Sequence, residues 1–574
     1  MKINYYKKFI NIIPLKYKYL FVLFILVLII GLFFQLVGIS LLIPLSSTFF
    51  GNSNFESIKY LEVIKNIFPA LDQFSNFFLY LTFTVVFIIV SNLVFLLSAY
   101  LSSSISFSIE RDIKIMLYKH YLHGDYLNFF KTETSDLLSL LTNETQRVSS
   151  QVLMPLADII SRIFILSGIL SYLIYLMPKE YFLGIVLFFF LYFFFFILIK
   201  KRIQLNNIIL SSENKQLVKI TNNLFKSFKE IKIYCLENNI LNKIILSAEK
   251  IKEIKFFTNF FSNFPRYLIE IILFLLIYFL IFFQENTVNI FIEKYLLVII
   301  YCLFKVLPSI QGVFSLLVVV NSNLNSVDEI FYQLKKSKFS NKNINLINTD
   351  NKFNIFNSLK LKNISFKFNK KIILNNINIE ILNGDKIGIE GESGSGKSTL
   401  INIISGLLKK NSGKIYLNNK EINSQKLLNF SRFNIGYISQ NPSILEGTIK
   451  ENIILDKEYN EEYFYKCIEI SGLKFVLKNL KGFDQKIHGS NSNLSGGQIQ
   501  RVLIARALYR KPKLIFIDEG FSQLDKTSEI EILNKMLKIQ NITIIMIYHK
   551  ISNKAFLNKI YKFNNKKIIL KKND

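Results

Sequence analysis

Apolar and polar positions divide the chain into two unlike parts. Before residue 321 they form six long apolar stretches, at about 20–46, 77–104, 153–177, 181–199, 262–283 and 294–320. Each approaches or exceeds the roughly 20 apolar residues that cross a bilayer core. The segments between the second and third stretches (105–152) and between the fourth and fifth (200–261) are long, charged and free of turn clusters. They read as helices that continue beyond the bilayer. After residue 355 the pattern changes to short apolar runs set among polar ones. Lys386–Glu390 (KIGIE) and Leu514–Ile517 (LIFI) read as buried strands. An uninterrupted run such as LIFI suits a parallel strand covered on both faces. Leu400, Ile403, Ile404, Leu407 and Leu408 recur at the spacing of one helix face.

The polar stretch at 335–355 is rich in Asn and Lys and reads as a linker. The expected architecture is an all-α polytopic domain over 1–330, a connection over 331–355 and an α/β domain over 356–574. Between the first two spans, Tyr60, Leu61, Val63, Ile64, Ile67 and Phe68 fall on one helical face, with Glu56, Lys59, Glu62, Lys65 and Asn66 on the other. That pattern fits an amphipathic helix lying in the membrane interface, or a packed outer loop.

Charge sets the orientation. The three short loops carry Lys59, Lys65, Lys179 and Lys294 against six acidic residues, while the long segments carry many more Lys and Arg. The positive-inside rule then places both termini, the long segments and the α/β domain in the cytoplasm. Lys2, Lys7, Lys8, Lys16 and Lys18 precede the first span, but Leu20–Leu45 is uncharged and too long for a signal-peptide core. The net charge of +29 is spread as scattered Lys, with no Arg-rich face and no nucleic-acid motif. Cys235, Cys302 and Cys467 have no pairing pattern, and His120 with His123 is too few for a metal site.

Candidate chemistry sits in the α/β part. Gly391-Glu392-Ser393-Gly394-Ser395-Gly396-Lys397-Ser398-Thr399 fits G-x-x-x-x-G-K-[ST] and lies between an expected strand and an expected helix. Glycines let backbone N–H groups approach phosphates, and the helix start adds positive potential. Lys397 would reach the β- and γ-phosphates and Ser398 would bind Mg²⁺. Asp518 and Glu519 end the LIFI run. By themselves they read as two solvated acids; downstream of a phosphate loop, Asp518 would hold the metal and Glu519 would polarise water. Ser495-Gly496-Gly497-Gln498 has the spacing of a capping box, followed by a helix.

The segment Leu494-Ser495-Gly496-Gly497-Gln498 resembles the signature motif of ATP-binding cassette ATPases, and the resemblance extends over essentially the whole chain. It implies ATP and Mg²⁺ as cofactors. It also implies further roles. Gln440 would sense Mg²⁺, His549 would contact the γ-phosphate, Asp525 would lie in a loop crossing a dimer, and Phe368 would stack on adenine where the family usually has tyrosine. Ser495 and Gly497 of one subunit would face the nucleotide of the other, which implies a homodimer. GFSQLD after Glu519 departs from the family's usual run at this place, and residues 488–493 lack a glutamate that many members carry.

Six spans with two long inner extensions resemble the exporter type. Coupling helices are then expected near Gly124–Phe130 and Phe228–Cys235. Gly38–Leu45, the outer helix, Phe264–Glu270 and Leu303–Ser309 resemble PglK-type flippases of lipid-linked oligosaccharides, multi-pass proteins of the bacterial inner membrane. Arg266 and Lys305 would then attract an anionic lipid head group; snorkelling or an internal ion pair is the alternative. The partners implied are membrane lipids and a glycolipid or other amphiphile, with no nucleic acid. An exporter of another lipid, a drug or a peptide is the alternative, and a cassette ATPase that transports nothing is a further one.

Overall fold

The computed structural model describes residues 16–49, 73–124, 133–176, 208–282, 288–341, 355–369, 371–440, 443–473, 482–487, 494–548 and 557–571, with 14, 126–127, 202 and 205–206. The chain forms two compact units. One comprises Met1–Gly124 with Lys131–Ile344, the other Asp125–Phe130 with Asn345–Asp574.

The first unit is helical. Four described segments are long and apolar enough to cross a membrane: Tyr17–Ser46, Asn76–His123, Thr134–Leu176 and Leu297–Ser322. They coincide with the first, second, third and sixth expected spans. The fourth span and the outer amphipathic segment lie outside the described residues. The fifth falls on helix Glu237–Phe282, whose backbone is helical throughout. The helix Tyr17–Ser40 is α1. Helix α2, Asn76–His123, is 48 residues long, or about 72 Å at 1.5 Å per residue. That is more than twice the roughly 30 Å hydrocarbon core, so the helix extends well beyond its apolar part. Ser75 caps its start, accepting from Phe78 N at 3.3 Å.

Two π-helical turns, Leu140–Glu144 and Ser149–Leu153, precede α3, Met154–Leu176. Polar ties converge on these turns. Ser149 Oγ donates to Glu110 Oε2 on α2, and Ser326 Oγ donates to Glu144 Oε2 at 2.5 Å. Short helix α4, Phe228–Ile233, stands where the second coupling helix is expected. It is followed by α5 (Glu237–Phe282), α6 (Val288–Ser322) and α7 (Leu324–Asn341). Helix α7 runs into the stretch read as a linker because Val327, Ile330 and Leu334 form a buried stripe that joins the core of α1 and α2.

The second unit is α/β. Its larger sheet has the order β12-β11-β3-β10-β9-β6. These are Lys567–Lys571, Lys559–Asn564, Lys386–Glu390, Thr543–Tyr548, Leu514–Asp518 and Ile435–Ile438. All neighbours pair in parallel except β11 with β12. All five residues of β9 are buried, as its apolar run requires. A second, antiparallel sheet joins β2 (Lys371–Leu382), β1 (Ser358–Phe368), β4 (Ser412–Leu417) and β5 (Lys420–Ile422) in that order, and β7 (Gly447–Thr448) pairs antiparallel with β8 (Lys486–Ile487). Ile364, Leu374, Ile377, Leu400, Phe430 and Phe516 belong to the core between them. Leu127, from the Asp125–Phe130 segment that clusters with this unit, packs on the same core.

Candidate functional site

The parallel strands β3, β10, β9 and β6 end on one edge of the sheet, and the loops beyond them carry the candidate residues. Ligand crevices in such sheets lie outside the carboxyl ends of the strands. The phosphate loop follows β3. Gly394 and Gly396 take φ of +78° and +109°, values that glycine adopts without the Cβ penalty. Gly391 is packed so closely that a Cβ there would lie 2.8 Å from Phe563 Cβ. Helix α8, Lys397–Ile404, starts directly after the loop, with Thr399 in its first turn and Gly396 as its N-cap. Glu392, Ser393 and Gly394 are exposed at the loop's crest.

Lys397 is buried, and its Nζ donates to the carbonyls of Gly391 (2.6 Å) and Glu392 (2.8 Å). Burial holds its ammonium below the usual lysine range, against the opposing pull of Glu519 and Asp518. Ser395 Oγ is buried in the same loop with no hydrogen-bond partner among the described residues. An orphaned hydroxyl is unusual in a folded interior; here it sits among the backbone groups that fit a polyphosphate.

Asp518, at the end of β9, accepts from Ser398 Oγ at 3.2 Å and from Tyr437 Oη at 3.3 Å. Burial raises its carboxyl above the ordinary range, and those two hydrogen bonds with the charge of Lys397 oppose the shift. Burial likewise pushes the Tyr437 phenol up, with Asp518 adding to it. Glu519 follows with φ +49°, and Gln440 Nε2 donates to its Oε2 at 2.6 Å. Lys397, Ser398, Gln440, Asp518 and Glu519 therefore surround one small volume at the strand ends. Ser398 and Asp518 supply the hard oxygen donors that Mg²⁺ prefers.

The other candidate residues form a second cluster in the same unit. Helix α9, Gly496–Tyr509, begins with a complete capping box. Gln498 N donates to Ser495 Oγ at 3.3 Å, and Ser495 N donates to Gln498 Oε1 at 2.8 Å. Gly496 is needed because Gln523 lies against it: a Cβ there would be 2.1 Å from Gln523 Oε1. Gln523 N in turn donates to Gln500 Oε1 at 3.0 Å, and Gln500 is fully buried. Asp525 caps helix α10, Lys526–Leu537, accepting from Ser528 N at 3.0 Å and from Thr527 Oγ1. Those bonds hold its carboxyl far below the usual range. Phe368 ends β1, half-buried against the core. His549 lies outside the described residues.

In the membrane unit, Lys305 Nζ on α6 donates to Asn92 Oδ1 on α2 at 3.1 Å. The side chain of Arg266 lies outside the described residues. Three contributors escape the motif reading. Tyr437 has no motif of its own, although it precedes Gln440 by three residues. Gln523 occupies the departure from the family's usual run. Arg162 is a cation inside the third apolar stretch, the signal that singled out Lys305.

Residues 21–304 match the family described as ABC transporter transmembrane region, and residues 374–522 match the one described as ABC transporter. The chain is 26% identical over 467 residues to a Rickettsia prowazekii protein named as an export ATP-binding/permease protein, with 79% of each chain covered. It is 34% identical over 197 residues to the colicin V secretion/processing ATP-binding protein of Escherichia coli, covering 34% of this chain and 28% of that one. A solved structure of a bacterial Atm1-family ABC exporter with ATP bound has the same fold. Its TM-score is 0.74 at 16% identity, over 96% of this chain and 94% of that one.

Proposed function

Because the chain is an ABC half-transporter, a membrane domain followed by an ATPase domain that couples ATP hydrolysis to export, we propose that it works as a homodimeric flippase. Its cargo is a lipid-linked oligosaccharide or related glycolipid, moved outward across the bacterial inner membrane. The ATPase domain and both termini lie in the cytoplasm, in keeping with the Lys and Arg of the long segments.

The phosphate loop and Lys397 bind the ATP phosphates. Ser398, Asp518 and Gln440 would hold Mg²⁺, which would supply charge neutralisation to the phosphates. Phe368 offers an aromatic face to adenine. Glu519 orients the attacking water and takes its proton, with its carboxylate positioned by Gln440. His549 stands in sequence where a γ-phosphate contact is expected. Ser495, Gly496, Gly497 and Gln498 of the partner subunit close over the nucleotide, with Asp525 in the loop between the sites. ATP binding favours the closed dimer, and hydrolysis resets it.

The observation that carries the cargo reading is Lys305, an ammonium within an apolar helix whose described partner is the neutral amide of Asn92. A cation held at that depth is costly unless it serves an anionic guest. Arg266 is a second cation of the same kind by sequence. A peptide cargo is the competing reading, favoured by the secretion protein of E. coli among the relatives.

The test is ATP-driven movement of a polyprenyl-diphosphate oligosaccharide in proteoliposomes, with Glu519→Gln as control. Movement by the wild type alone supports the flippase. Intact ATPase activity without movement, together with uptake of a small secreted peptide, moves the assignment to peptide export.

A further inference from the structure

Strand β6 sends side chains to both acids at the end of β9. Gln440, just past the strand, meets Glu519. Tyr437, within it, meets Asp518. In the parallel pairing of β6 with β9, Tyr437 lies opposite Phe516. Alternate residues of a strand share a face, so Asp518 stands on the face of Phe516, one diagonal step from Tyr437. Diagonal neighbours on a sheet are within reach of aromatic and other long side chains. The phenol spans that step, and its Oη donates to Asp518 Oδ2 at 3.3 Å.

Packing does not account for this residue. Tyr437 is 43% exposed and joins neither hydrophobic core of its unit, while its neighbours Gly436 and Ile438 are buried. Its hydroxyl nevertheless engages a carboxylate that is 6% exposed. The other oxygen of that carboxylate, Oδ1, accepts at 3.2 Å from Ser398 Oγ in the first turn of α8. Each oxygen of Asp518 is thus held by a different hydroxyl, one from β6 and one from α8, and the two bonds together fix the plane of the carboxylate. The hydroxyls differ in one respect. Ser398 is itself a candidate metal ligand, whereas Tyr437 acts on the site through Asp518.

We propose that Tyr437 is a positioning residue for the metal site, holding Oδ2 of Asp518 so that Oδ1, on the side of Ser398, is the oxygen offered to Mg²⁺. Mg²⁺ demands near-ideal octahedral geometry, so a carboxylate free to rotate binds it less well than one held in plane. Hydrogen-bond partners of ligating groups contribute about 10–100-fold to metal affinity or activity. A phenylalanine at this position would keep the ring and lose the hold. The inference rests on the ATP and Mg²⁺ reading of the site and adds a residue that its motifs do not contain.

The experiment titrates Mg²⁺ against binding of the fluorescent nucleotide mant-ATP to the full-length protein in nanodiscs. Every protein carries Glu519→Gln, so that hydrolysis does not consume the probe; Tyr437→Phe, Tyr437→Leu and Tyr463→Phe are added to this parent one at a time. The half-saturating Mg²⁺ concentration rises on the order of tenfold in Tyr437→Phe, while mant-ATP affinity in EDTA stays as in the parent. Tyr437→Leu, which loses the ring as well, gives a shift of the same size. Tyr463→Phe loses another phenol hydrogen bond of the same unit, to the carbonyl of Leu508 at 3.0 Å, and leaves the Mg²⁺ curve in place. With Glu519 restored, Tyr437→Phe lowers ATPase activity at limiting Mg²⁺ and recovers it at excess Mg²⁺, a rescue that a purely structural lesion would not show. Should Tyr437→Leu fail to fold, Tyr437→Phe carries the test. An unchanged half-saturating Mg²⁺ concentration in Tyr437→Phe overturns the proposal, and so does a shift confined to Tyr437→Leu, which makes the ring the contributor; both leave Asp518 and Ser398 as metal ligands. A parent protein whose mant-ATP binding ignores Mg²⁺ overturns the metal reading too.

Discussion

Gln440 and Glu519 meet across a 2.6 Å hydrogen bond because their strands are neighbours in register. In the parallel pairing of β6 with β9, Ile438 lies opposite Ile517. Each of the two residues follows its strand partner by two positions, so the ends of adjacent strands deliver an amide to a carboxylate. Glu519 accepts a left-handed backbone to do so, with φ +49°. A non-glycine residue in that region costs on the order of 1–3 kcal/mol and persists where the surroundings over-determine it.

Glu519→Gln keeps the shape of this pair and removes the proton acceptor. ATP turnover should fall by at least about 10²-fold, the usual contribution of a positioned general base, while nucleotide binding persists. Gln440→Ala should lower kcat more than it changes KM for ATP, because it disturbs orientation rather than phosphate contacts. Steady-state ATPase assays decide both; wild-type turnover in Glu519→Gln removes the assigned role.

Asp518 carries a pH signature. Its folded carboxyl is raised by burial. A group raised on folding contributes stability that is fully present below its unfolded value, near 3.9, and lost as pH rises through the folded value. At neutral pH the wild type bears that loss and Asp518→Asn does not. The nucleotide-free variant should therefore melt above the wild type at pH 7.5 and approach it as the pH falls toward the carboxylate range, while its ATPase activity is lost. An Asn variant that melts lower at neutral pH shows that the hydrogen bonds from Ser398 and Tyr437 outweigh burial.

Much of this site was legible in the sequence because its chemistry is local. The capping box Ser495–Gln498, the glycines of the phosphate loop and the buried run before Asp518 each announce themselves within a few residues. Contacts made across long sequence separations did not. Tyr437 reaches Asp518 from 81 residues away. Arg162 reaches Pro308 from 146 away and depends on a glycine in another helix. The π-helical turns were invisible, since an extra residue per turn leaves the apolar composition unchanged. Helix α7 overran the expected linker because three buried apolar residues outweigh a polar average.

Ser495 tests whether helix α9 depends on its cap. The hydroxyl satisfies Gln498 N, one of the donors that the first helical turn leaves open. Ser495→Ala should destabilise the helix by about 1 kcal/mol and weaken ATPase activity through the exposed N-terminus. Ser495→Thr should retain most of both. Equal losses in the two variants would mean that size at this position matters more than capping.

Glu144 provides the corresponding test in the membrane unit. It is buried at the end of the first π-helical turn, accepting from Ser326 Oγ on α7 at 2.5 Å and from Arg147 Nη1 at 3.1 Å. The carboxylate therefore ties the third helical segment to α7 through the Ser326 hydrogen bond, while the guanidinium of Arg147, three residues on in its own segment, holds its other oxygen. Bonds to charged groups contribute roughly 1.5–3 kcal/mol, and the larger penalty falls on donors left buried and unpaired. Glu144→Ala strands Ser326 and Arg147 together and should lower the melting temperature of the full chain. Glu144→Gln keeps an acceptor oxygen for Ser326 and should recover part of the loss. Ser326→Ala removes the tie but leaves Arg147 paired, so its effect should be the smallest of the three. A thermal-shift series in detergent orders the variants. The reverse order, with Ser326→Ala the most damaging, would place the stabilisation in α7 packing rather than in the carboxylate.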